Sequence, residues 1–160
     1  MIPDILKERL FMVFFGRSDV GLRRQINQDC FSCMRIWGGE AVLLAVCDGM
    51  GGHKAGEIAS QKAMAVFCDK IVGNPCIEEQ PEKARVAIRK TMTIAASAAN
   101  RTVYEMSNRF EELAGMGTTL VAAIVYGGVL YAINIGDSRA YIVTRREAFQ
   151  ITRDHSFVQY

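Results

Sequence analysis

Ala41-Val42-Leu43-Leu44-Ala45-Val46-Cys47-Asp48-Gly49-Met50-Gly51-Gly52-His53-Lys54-Ala55-Gly56-Glu57 runs from an unbroken apolar segment into a carboxylate and then a glycine-rich bend. The apolar part lacks alternation, which predicts a strand over 41–47 covered on both faces. Past the bend, Ile58, Ala59, Ala63, Val66, Phe67 and Ile71 recur at spacings of three and four. That period predicts a helix from about Ala55 to Val72. Gly73-Asn74-Pro75 should stop it, by left-handed-tolerant residues and a breaker. A second helix is expected from about Glu79 to Asn108, with acidic residues at its start. Its apolar stripe is rich in alanine, which suggests close approach to a neighbour.

Strands are expected on either side of this helical pair. Before it lie Phe11–Phe15 and Cys30–Ile36, with the turn Trp37-Gly38-Gly39-Glu40 leading into the strand at 41–47. After it lie Thr118–Tyr126, Val129–Ile135, Arg139–Thr144 and Ala148–Ile151. Gly127-Gly128 provides a two-residue hairpin turn. Strands, two helices and strands again read as an α+β fold, since a doubly wound sheet would alternate.

The composition agrees. The chain has 160 residues, half of them hydrophobic, enough for one domain with a sizeable core. A net charge of +2 is too small to suggest a nucleic-acid or membrane-surface protein by itself. No apolar run approaches the ~18 residues of a membrane span. The run Leu10–Phe15 is too short for a signal peptide, and residues 1–9 read as an N-terminal extension to a domain over 10–160. The cysteines, Cys30, Cys33, Cys47, Cys68 and Cys76, are odd in number and sit mostly among apolar residues. Reduced thiols and a cytoplasmic location are expected.

Three loops carry candidate chemistry. In Asp48–Glu57, a carboxylate, glycines that expose the backbone and His53 fall within a short span. That set suits a hard metal ion. The competing reading is a glycine-rich turn that binds an anion through its N–H groups. In Ser18–Asp29, Arg24 precedes Asp29 by five residues, and arginine suits bidentate phosphate capture. The competing reading is an ordinary polar loop. In Asn134–Arg139, Asp137 sits between apolar strands, where a carboxylate needs a partner or a metal. The alternative there is an Asp137–Arg139 pair within a tight bend. Cys30-Phe31-Ser32-Cys33 has the spacing of a zinc or redox pair, but no second pair follows. Strand alternation would also point the two thiols to opposite faces. His53 and Glu57 lack the second histidine of a zinc-protease pattern.

Taken together, these stretches resemble the type 2C metal-dependent serine/threonine protein phosphatases in their bacterial form. The motifs are SDVGLRRQINQD (Ser18–Asp29), VCDGMGGHKAGEIAS (Val46–Ser60), GMGTTLVAAIV (Gly115–Val125) and INIGDSRAYIV (Ile133–Val143), followed by ITRDHSFVQ (Ile151–Gln159). The resemblance implies an antiparallel β-sandwich flanked by α-helices. It further implies Mn²⁺ or Mg²⁺ as cofactor, two ions or three, and hydrolysis of phosphoserine and phosphothreonine by a metal-bridged water. Asp48 and the Gly49 carbonyl would be metal ligands, Asp29 would lie at the metal cluster, and Asp137 would help hold a third ion. Arg24 would clamp the phosphate and His53 would protonate the leaving alkoxide. Partners would be phosphorylated proteins, with a serine/threonine kinase as counterpart. Gln28 stands where many relatives carry glutamate.

The family's two later metal aspartates follow the Asp154-His155-Ser156 block, and these 160 residues contain no counterpart in register. The expectation is therefore an incomplete phosphatase domain, poorly active alone. The alternative is a non-catalytic phosphatase-like binding module.

Overall fold

The computed structural model describes residues 12–52, 54–76, 78 and 80–155. Its main sheet is antiparallel. Strands β1 (Asp29–Ile36), β2 (Ala41–Met50), β4 (Leu120–Tyr126) and β5 (Val129–Ile135) lie side by side in that order. The short β3 (Gly117–Thr118) adds to the far end of β2, opposite Gly49 and Met50. A separate hairpin joins β6 (Tyr141–Val143) to β7 (Ala148–Gln150). Helices α1 (Ala55–Val72) and α2 (Pro81–Arg109) pack against each other, and α1 lies on β1 and β2. This is the expected α+β order.

Alternation decides which residues form the core. Ala41, Leu43, Ala45 and Cys47 of β2 face the helices together with Ala122, Ile124 and Tyr131. They close on Phe67, Ile71 and Ile88, each fully buried. Ala59 and Ala63 of α1 and Ala95, Ala96 and Ala99 of α2 are all buried in the core that the two helices share. The opposite sheet face differs from expectation. Val42 is buried there, but Val46 is 43% exposed and Phe31, its partner on β1, 39%. Strand β2 is thus covered fully on one face and only at its beginning on the other, so an apolar run without alternation overstated its burial.

Three further details depart from the sequence reading. Residues 12–15 join no strand; Arg35 reaches the Met12 carbonyl at 3.3 Å, yet Val13 and Phe15 stay more than four-fifths exposed. The first position of that expected strand, Phe11, lies outside the described residues, as does the extension over 1–9. Helix α1 does not end on a left-handed glycine: Gly73 is right-handed, and the Asn74 side chain caps the Lys70 carbonyl at 2.7 Å. The Trp37 indole donates to the Ile71 carbonyl at 2.9 Å, which ties the β1–β2 turn to the same helix end. Helix α2 begins at Pro81 rather than Glu79, with proline in the first turn, where its missing N–H is harmless.

The end of β2 meets the start of α1 with no space between them. A Cβ at Gly49 would collide with the Gly56 carbonyl and lie 2.7 Å from the Gln28 carbonyl oxygen. A Cβ at Gly56 would in turn lie 2.8–3.0 Å from the Gln28 side chain. Gly52, by contrast, has open space around it. Gly49→Ala should therefore cost about 3 kcal/mol or more, and Gly52→Ala less than about 1 kcal/mol. Urea unfolding of both variants checks this, and equal losses would refute the close contact.

Candidate metal centre

Register places two of the sequence-predicted carboxylates face to face. Asp29 opens β1 and Asp48 closes the central part of β2, and the two are direct cross-strand partners. Opposed residues of an antiparallel pair share a face and sit about 5 Å apart at Cβ. The consequence appears in Asp48. Desolvation, then the Asp29 charge and a hydrogen bond that the protonated Asp48 carboxyl donates to Asp29, raise its pKa above the ordinary 3.8. Arg24 opposes that rise and Asp137 adds to it. The loop arginine and the distant Asp137 thus both lie within electrostatic reach of the strand end.

Main-chain bonds hold Asp48 from two sides. Its neighbour Gly49 donates to the Gln28 carbonyl at 3.1 Å. The Asp48 N–H donates to Thr119 Oγ1 at 2.9 Å, and its carbonyl accepts from the Thr119 N–H at 2.9 Å and from Thr118 Oγ1 at 3.0 Å. Thr119 Oγ1 also bonds Ser138 Oγ at 2.6 Å, next to Asp137. Gly136, with φ +98°, allows this approach, since a Cβ there would lie 2.7 Å from Thr119 Cγ2. On the other side, Asn27 Oδ1 accepts from the Asp29 N–H at 3.0 Å, and Asn27 Nδ2 donates to Ser18 Oγ at 2.6 Å.

The structure thus brings Asp29, Asp48, Gly49, Arg24 and Asp137 to one end of the main sheet. His53 lies outside the described residues. Among the described residues no three Asp, Glu, His or Cys side chains gather as a ready metal cage. The donors fit a divalent cation in their chemistry: two hard carboxylates on one rung, one of them holding its proton abnormally tightly. These are the two carboxylates that would hold such an ion.

The sequence reading missed several positioning residues. Thr118, Thr119 and Ser138 form the clamp on Asp48, and only pairing across seventy residues of chain reveals it. The expected alternative for Asp137, a pair with Arg139, is not observed. Arg139 binds Asp154 instead, with contacts of 2.6–3.1 Å. Cys30 and Cys33 lie on opposite faces of β1, as alternation required, and all five cysteines are free thiols.

Comparison with known proteins bears on the family of the chain. The sequence profile of the family described as Protein phosphatase 2C matches residues 22–157. The serine/threonine protein phosphatase PstP of Mycobacterium tuberculosis is 37% identical over 150 residues, spanning 94% of this chain and 26% of its own. The serine/threonine phosphatase Stp of Listeria monocytogenes is 33% identical over 142 residues, spanning 89% of this chain and 54% of its own. A crystal structure of the PstP catalytic domain in complex with two manganese ions superposes with a TM-score of 0.72 at 36% identity. It spans 89% of this chain and 56% of that one. The chain therefore spans about half the length, or less, of the relatives it matches. With the profile covering most of its residues and the carboxylate rung in place, the chain belongs to the protein phosphatase 2C family.

Proposed function

We propose that this chain is part of a metal-dependent phosphatase that hydrolyses phosphoserine and phosphothreonine in proteins. The observation that carries the reading is the Asp29–Asp48 rung, whose two carboxylates favour a shared cation. PstP bound to two manganese ions supports Mn²⁺, with Mg²⁺ as the equivalent hard ion. Asp29, Asp48 and the Gly49 carbonyl would hold the ions, and Asp137 would contribute to a further one. When bound, the ions supply Lewis acidity and a water of lowered pKa as the attacking group. Arg24, exposed beside the rung, binds the substrate phosphate and neutralises charge on its oxygens. His53 gives a proton to the departing alkoxide.

A cysteine nucleophile does not fit the same site. Desolvation, then Cys30 and Cys68, push the buried Cys47 thiol up to about 12, so it carries no thiolate at neutral pH. The sequence also has His53, not arginine, six positions after Cys47. Phosphorylated proteins are the proposed substrates, and a serine/threonine kinase is the enzyme whose work is reversed. Neither nucleic acid nor membrane is a proposed partner. Among the described residues no helix is long and apolar enough to cross a membrane, and free thiols support a cytoplasmic location.

Three outcomes test the reading. Asp48→Asn should abolish Mn²⁺ binding by calorimetry while leaving the circular dichroism unchanged; retained binding would remove Asp48 from the site. Arg24→Ala should raise KM for p-nitrophenyl phosphate about tenfold with kcat little altered, and an unchanged KM would exclude a phosphate contact. The third outcome concerns pH. Without metal, folded Asp48 binds its proton more tightly than the unfolded chain does, so stability falls as pH rises. The fall starts near the ordinary carboxylate value of 3.8 and runs up through the raised one. The thermal midpoint of the EDTA-treated chain should drop from about pH 4 toward neutrality. Asp48→Asn should flatten that slope and Mn²⁺ should reverse it, and a slope unchanged in the variant would contradict the shared rung.

A further inference from the structure

Arg139 is the cation nearest in sequence to Asp137, two positions away across a bend. Its guanidinium is instead spoken for. Nε donates to both Asp154 oxygens at 3.1 and 2.9 Å, and Nη2 donates to one of them at 2.6 Å. The Asp154 side chain is 6% exposed and that of Arg139 49%. Arg139 stands first among the groups that hold the Asp154 carboxyl below the ordinary carboxylate range. Gln150 Nε2 gives the same carboxylate a further bond at 3.1 Å.

The segment carrying Asp154 is bonded along the Asp137 bend by four more links. The His155 N–H donates to the Gly136 carbonyl at 3.0 Å, and Asn134 Nδ2 donates to the Arg153 carbonyl at 2.9 Å. The Ala140 N–H donates to Thr152 Oγ1 at 3.1 Å, and the Ile151 N–H donates to the Ala140 carbonyl at 2.9 Å. Asp154 is thus delivered to Arg139 by a bonded strap. An arginine stays charged near neutral pH, and a half-exposed guanidinium is met by water or by a carboxylate within its reach. The other side-chain group bonded to Arg139 is the Tyr141 hydroxyl.

We propose that Asp154 is a positioning residue that sequesters the Arg139 charge, so that Asp137 is left as a carboxylate open to a cation. The inference rests on the metal-site reading above but makes a separate claim, about which of two carboxylates Arg139 serves. Asp154→Asn keeps the shape and removes the negative charge. The half-exposed guanidinium is then free to turn to Asp137, where it competes with a metal ion.

The test compares the full chain, Asp154→Asn and the double variant Arg139→Gln/Asp154→Asn. Calorimetry with Mn²⁺ should show affinity at the Asp137-dependent site weakened about tenfold in Asp154→Asn, the order expected when a unit positive charge comes beside a cation at surface dielectric. That site is defined by its loss in Asp137→Asn. The double variant, which has no ion pair at all, should recover the affinity to within about twofold, since no competing charge remains. A purely structural pair predicts the reverse, with the double variant as weak as the single one, and that result overturns the proposal. A metal-free arm reads the Arg139 Nε–H signal by NMR. It should stay protected from exchange in Asp154→Asn and lose protection when Asp137→Asn is added. Protection lost already in Asp154→Asn overturns the proposal. If the parent chain binds no Mn²⁺, the metal-site reading fails, and the NMR arm still decides which carboxylate Arg139 serves.

Discussion

At Gly49 the backbone of β2 touches the first turn of α1 with no room for a methyl group, and the rest of the site is built on that contact. A strand end normally frays, because it has neighbours on fewer sides than the strand middle. Here it cannot. The contact with Gly56 fixes its height, the Gln28 carbonyl holds the Gly49 N–H, and Thr118 and Thr119 bond Asp48 from the other edge. Asp48 is consequently a charged side chain on a rigid support. Rigidity matters because a carboxylate placed for a metal ion loses affinity if its ligands must first be ordered.

That support brings like charges together. Asp29 faces Asp48 because β1 and β2 are in register from Ile36 and Ala41 outward, and a slip of one residue would turn one carboxylate to the helix side. The rung therefore depends on the short Trp37–Gly39 turn and on the indole that anchors it to the end of α1. An apolar hairpin with a tight turn at one end delivers a carboxylate pair at the other. The cost is desolvation and then repulsion, visible in the raised proton affinity of Asp48 and partly offset by Arg24. A site strained in this way is ready for a divalent cation, which supplies in one ion the charge that protons and a loop arginine supply only in part.

The Asp137 bend extends the same design. Gly136 adopts a positive φ so that the chain can approach Thr119, and Ser138 bonds the hydroxyl that also serves Asp48. Two stretches far apart in sequence are thereby held in a fixed relation by one threonine. Arg139 turns away from this centre toward Asp154, which keeps the positive charge on the strap side of the bend.

Periodicity and short motifs were sufficient for much of this. Helix α1 falls on its expected residues because apolar spacing reports the face of a helix directly. The Gly127-Gly128 and Trp37–Glu40 turns were readable from glycine alone. Asp29, Asp48, Gly49, Arg24 and Asp137 became candidates through the resemblance of their motifs to a family, since each loop taken alone also fitted an ordinary turn or polar loop. Burial on the second face of β2 was not readable, because a run of apolar residues says nothing about what stands opposite. Nor were the Thr118–Thr119 clamp and the Arg139–Asp154 pair. Threonine beside a strand and a choice between two carboxylates carry no local signature. They are decided by register and chain crossing, which bring distant residues within hydrogen-bond reach only once the sheet has formed.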